Sequence, residues 1–97
     1  MTVELKVKTK AGHRERLKAH FIVGDEEAHT DEELLELLLT YAIPQKDVQP
    51  LARKLIATFG SLSNVLSTDI ATLCKQEGIK EHSAVLIKLI DWIRKEG

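Results

Sequence analysis

Apolar residues recur along most of the chain at the i, i+3/i+4 spacing of an α-helix, and the intervals are filled by Gly, Pro, Ser, Thr and Asp. That pattern predicts a series of short helices joined by tight connections. The densest run is Thr30–Ala42. Thr30 with Glu33 fits a capping box, and Asp31, Glu32 and Glu33 place negative charge at the positive end of a helix. Leu34, Leu35, Leu37, Leu38, Leu39, Tyr41 and Ala42 then make nearly every face apolar, which suits the centre of a bundle. Pro44 ends this helix, because proline disfavours the helical conformation at the residue before it.

Upstream, Gly12–Val23 has His13, Leu17, His20 and Phe21 on one face, with Arg14, Glu15 and Lys18 mostly outside. Met1–Lys10 alternates Val3, Leu5 and Val7 with charged residues, a strand-like period with no second strand to pair with. It reads as a flexible basic lead, or as an edge that pairs between molecules. Downstream, Asp47 can cap a helix that tolerates Pro50 in its first turn and aligns Leu51, Leu55 and Phe59 until Gly60 stops it. Arg53 and Lys54 project outward from it as phosphate contacts or as charged surface. Ser61 caps a short turn through Leu62, Val65 and Leu66.

The stretch Thr68–Leu89 reads as helix, tight turn, helix, opened by Ser67 or Thr68. Ile70, Leu73 and Cys74 form one apolar face, and Val85, Leu86, Leu89, Ile90 and Ile93 form another. Gly78 can take the left-handed conformation that closes the first arm, with Ile79 as an apolar plug. These residues resemble the helix-hairpin-helix module of DNA-binding proteins, whose turn reads Gly-hydrophobic-Gly with an Ala farther on. Gly78, Ile79 and Ala84 match, and Lys80 replaces the second glycine. The resemblance implies that turn amides and the following helix N-terminus hold a backbone phosphate, since free N–H groups and the helix dipole favour an anion. A plain αα-hairpin is the alternative.

Ninety-seven residues make one small domain. With few aromatics, Leu and Ile must fill its interior. No apolar run reaches the roughly 18 residues of a membrane span and no signal peptide is visible, so a cytoplasmic setting fits. Cys74 is the only cysteine, which supports neither a disulfide nor a zinc site and reads as a buried thiol. The net charge of −1 argues against strong nonspecific nucleic-acid binding. Its distribution is polarised: six basic and two acidic residues over 1–20, seven acidic and none basic over 24–37, and five of each over 61–97.

GHRERL at 12–17, DEELLELLLTYAIPQKDVQPLARKLIATFGSL at 31–62 and the hairpin at 73–89 occur in one order. Together they resemble the N-terminal helical domain of RadC-family proteins, a family named for DNA repair. The likeness spans about residues 12–90, and its most specific part is the Leu-rich helix running into Tyr41-Ala42-Ile43-Pro44 and then Pro50-Leu51-Ala52. Full-length members follow this domain with a JAMM metalloprotease-like domain that would bring a His-x-His and a downstream Asp. Histidines stand here only at 13, 20, 29 and 82, so that catalytic half is not in these residues.

No catalytic constellation is readable. Ser83 follows His82, but adjacent helical residues point to different sides. Gly60 and Gly78 are isolated, so no loop cradles a nucleotide phosphate. No cofactor or metal is expected, since no carboxylate pair completes a site with His13 and His20.

The sequence therefore predicts an all-α, non-catalytic bundle of five or six short helices over 11–97, with the hairpin at 68–95 and the lead at 1–10. The leading functional expectation is weak, sequence-independent DNA binding. Its candidate residues are the amides of Gly78, Ile79 and Lys80, the side chains of Lys75, Lys80, Ser83 and Lys88, and Arg14 and Arg16. The second expectation is a docking module for a JAMM-type domain, another protein or a second copy, with Trp92 as an exposed anchor or a lid on the core. The third is a structural element with no ligand.

Overall fold

Thr30 stands in extended backbone immediately before a helix, and its hydroxyl accepts the Glu33 amide at 3.2 Å. In the computed structural model, which describes residues 12–24, 29–44 and 46–96, that helix is the second of six. They are α1 (Gly12–Val23), α2 (Asp31–Ala42), α3 (Gln49–Phe59), α4 (Leu62–Ser67), α5 (Ile70–Cys74) and α6 (Glu81–Glu96). No strand occurs among the described residues, so the all-α expectation is met. The basic lead at 1–10 lies outside the described residues.

Helix α2 is central because it packs against α1, α3, α4 and α6. Leu35 and Leu39, one turn apart, are fully buried, each contributing on the order of 2 kcal/mol of transfer free energy. They join Val48, Ala52, Leu55, Val65, Leu66, Leu73, Ile79, Ala84 and Ile87 in one core. The expectation that α2 is buried all round needs correction at its end, where Tyr41 is exposed.

The connections follow the short polar residues. Asp47 does not occupy the cap position itself; Val48 does, and Asp47 Oδ1 accepts the Gln49 amide at 3.0 Å, with Pro50 in the first turn of α3. Gly60 ends α3 at φ +97°, donating its amide to Ile56 O at 2.7 Å. Ser61 caps α4 through the Asn64 amide. Asp69, rather than Ser67 or Thr68, caps α5, accepting the Thr72 amide at 2.7 Å. A carboxylate there gains from the helix dipole as well as the hydrogen bond.

Three expected apolar faces are corrected. In α1 the inward residues are Leu17 and Ala19, while His20 and Phe21 are exposed. In α5 only Leu73 is buried: among the described helices α5 packs on α6 alone, which covers Leu73 and leaves Ile70 and Cys74 exposed, so Cys74 is not a buried thiol. In α6 the inward residues are Ser83, Ala84, Ile87 and Asp91, so Val85, Leu89 and Ile93 face outward. The small Ser83 and Ala84 let α6 approach its neighbours closely.

Asp91 is tolerated on that inner face because cations surround it. Its side chain has no exposure, and Arg94 Nη2 lies 2.8 Å from one carboxylate oxygen while Lys95 Nζ and Lys88 Nζ lie 3.0 and 3.3 Å from the other. Arg94 also donates to the Ser63 hydroxyl and carbonyl and to the Ser67 hydroxyl, latching α6 onto α4. The hydrogen bond from Lys95, with those from Arg94 and Lys88, outweighs burial and lowers the Asp91 pKa from the ordinary 3.8 to about 2.

Candidate nucleic-acid interface

The chain between α5 and α6 turns at Gly78, which has φ +95°. A side chain is strained in that region, and a Cβ there would lie 3.3 Å from Leu51 Cδ1, so the turn sits directly on α3. Ile79 follows, 3% exposed, as the expected plug into the core. Its amide donates to Gln76 O at 3.0 Å. One of the three amides expected to face a phosphate is thus committed to closing the turn. The Gly78 and Lys80 amides make no backbone hydrogen bond among the described residues. Lys80 is exposed immediately before α6.

The turn forms one wall of a groove of about 610 Å³. Across from it stands the α2–α3 connection. Ile43, Val48, Pro50 and Leu51 provide its apolar lining, and its charged lining is Lys46, Lys54 and Lys80 with Asp47 and Glu77. Arg14 shapes this wall from outside, since its guanidinium donates to Ile43 O at 3.0 Å and to Lys46 O at 2.5 Å. The candidate set from sequence is therefore divided. Gly78, Lys80 and Ser83 line the groove, although Ser83 is largely buried, and Arg14 braces it.

Lys75 and Lys88 belong elsewhere. Both act on Asp69, whose carboxyl is held below its ordinary 3.8 mainly by hydrogen bonding from Thr72 and further by these two lysines. Lys88 also reaches Ser67 O and Asp91. Arg16 lines a separate small cleft with His20, Glu33 and Glu36. Arg53, a second outward cation on α3, pairs with Glu32 at 2.7 Å, so Lys54 rather than Arg53 faces the groove. Sequence reasoning missed Lys46 and His82 as neighbours of the turn. Lys46 is remote in sequence from Lys80, and only the packing of Gly78 on Leu51 brings the two connections together. Among the described residues no group of three or more His, Cys, Asp or Glu is placed to hold a metal ion. No helix of the described residues is long and apolar enough to cross a membrane.

Residues 8–85 match the family model described as UPF0758 N-terminal. The chain belongs to this family. The UPF0758 N-terminal domain is 39% identical over 83 residues to a UPF0758 protein of Fusobacterium nucleatum subsp. nucleatum, covering 86% of this chain and 36% of that protein. It is 40% identical over 79 residues to a UPF0758 protein of Ruegeria pomeroyi, covering 81% of this chain and 35% of the relative. A UPF0758 protein of Rhodobacter capsulatus is 41% identical over 75 residues, with 77% and 35% covered. The chain thus spans about a third of the length of the curated relatives it matches. No solved structure matches it.

Proposed function

We propose that this UPF0758 N-terminal domain is a non-catalytic module that binds DNA weakly and without sequence preference, holding backbone phosphate at the Gly78–Lys80 turn. The observation that carries this reading is the convergence of Lys46, Lys54 and Lys80 on the groove beside that turn. Two segments distant in sequence supply them, Lys46 and Lys54 from α3 and the connection before it and Lys80 from the α5–α6 turn, and the left-handed Gly78 brings the backbone of the turn to the same edge. The resemblance to a helix-hairpin-helix turn supports the assignment, with Lys80 adding a charge where that module has its second glycine. Phosphate oxygens would meet the ammonium groups and the N–H groups at the start of α6, which the helix dipole makes favourable for an anion. Among the described residues that line the groove there is no Arg, Asn or Gln to fork onto a base edge, so the proposed contact is to the backbone and carries no sequence information.

Few phosphates are engaged and the net charge is −1, so affinity is poor at physiological salt. Fluorescence anisotropy of labelled single-stranded, duplex and branched DNA at about 50 and 200 mM salt tests this, with a salt slope on the order of 2–4 expected. Absence of binding to all three at the lower salt would overturn it.

A further inference from the structure

Helix α6 buries one face and leaves the opposite one apolar. Ser83, Ala84, Ile87 and Asp91 turn inward. Val85, Leu89, Trp92 and Ile93 are 48, 51, 57 and 61% exposed. Val85, Leu89 and Ile93 follow one another at i, i+4, i+8 with Trp92 beside them, a continuous stripe on a helix about 24 Å long. Single exposed apolar residues are ordinary, but four large ones aligned on one helix mark an interaction surface.

The charges at the two ends of the stripe identify its occupant. The first turn of α6 carries Glu81 and the last turn Arg94 and Lys95. Arg94 and Lys95 both pair with Asp91, but Arg94 is also held by Ser63 and Ser67, whereas the Lys95 side chain remains 58% exposed. A second α6 laid antiparallel, with the two-fold axis at Leu89, sets Val85 of each copy against Ile93 of the other and Leu89 against itself. The same register brings Glu81 within a turn of Lys95 in the other copy, and His82 opposite Glu96. A parallel pair would instead set Glu81 beside Glu81 and Lys95 beside Lys95, and align the helix dipoles unfavourably. We propose that the outer face of α6 is a self-association surface on which two copies of this chain pair antiparallel about Leu89. This goes beyond the DNA-binding reading and does not rest on it. A single helix pair falls short of the about 1,200 Å² buried by stable interfaces, so the dimer is weak and concentration-dependent.

Sedimentation velocity of the full chain at about 10 and about 500 µM reads the association directly. The average mass is expected to rise from 10.9 kDa toward twice that value, and Leu89→Glu is expected to stay monomeric with unchanged helical circular dichroism. A wild-type chain that is monomeric at the higher concentration overturns the proposal, as does a Leu89→Glu variant that associates equally well. Orientation is tested by oxidative cross-linking in a Cys74→Ser background. Leu89→Cys should cross-link to itself, and Val85→Cys should cross-link to Ile93→Cys in a mixture but not to itself. Self-linking of Val85→Cys as efficient as the mixed product would overturn the antiparallel arrangement.

Discussion

The turn glycine Gly78 packs on Leu51, with its would-be Cβ 3.3 Å from Leu51 Cδ1. This contact ties the connection between α5 and α6 to α3 and so creates the groove that Lys46, Lys54 and Lys80 share. Gly78→Ala adds a methyl both to a left-handed backbone and against Leu51. A cost of about 1–2 kcal/mol is expected from the backbone alone, with the displaced leucine adding to it. Gly24 also has positive φ, but a Cβ there meets nothing within 4 Å, so Gly24→Ala carries only the backbone cost. Urea unfolding of the two variants should rank Gly78→Ala as the more destabilised.

Asp91 makes stability depend on acid. Its folded pKa of about 2 lies below the ordinary 3.8. Its contribution is therefore complete above about 3.8 and is lost as pH falls from there through about 2. Melting temperatures of the wild type and Asp91→Asn measured from pH 7 to pH 2 should differ most at neutral pH and converge in that acid window. A constant difference across the range would contradict the ion-pair account.

Both relationships show what the sequence could and could not convey. Elements with strong local grammar were legible: Thr30, Pro44, Pro50 and Gly60 bound α2 and α3 within a residue or two, and Ile79 fills the core as its position in the turn suggested. The inner face of α6 was not. Val85, Leu89 and Ile93 have a helical apolar period, and an aspartate on the opposite side looks like a solvent position until Arg94, Lys95 and Lys88 are seen to enclose it. The groove was partly legible, since the turn and the outward Lys54 follow from local pattern, but Lys46 comes from a loop that only tertiary packing brings near. Local pattern conveys elements and caps; which cations share a surface depends on packing between distant segments.

Leu39 lies at the centre of the bundle with no exposure. Leu39→Ala should cost about 2–5 kcal/mol through lost burial and the cavity left behind. Tyr41, two residues on, is 67% exposed, and the Lys18 ammonium lies 5.9 Å from its ring. Tyr41→Ala should therefore stay within about 1 kcal/mol of the wild type, as thermal unfolding would show.

Arg14 serves the groove through the backbone it holds. Removing its guanidinium in Arg14→Ala leaves the Ile43 and Lys46 carbonyls without that donor and should cost about 1–3 kcal/mol. Lys46→Ala, at an exposed position, should change stability by no more than about 0.5 kcal/mol. Denaturant titrations of the two variants separate the bracing role from a surface charge.

The most direct test of the DNA-binding account compares the wild type with a Lys46→Ala/Lys54→Ala/Lys80→Ala variant by anisotropy on duplex DNA across a salt series. Each phosphate contact removed lowers the slope of log affinity against log salt by about 0.9, so a loss of roughly 2–3 is predicted, with weaker binding at low salt and an unchanged fold. A variant that keeps the wild-type affinity and slope would show that DNA, if bound at all, is held somewhere other than this groove.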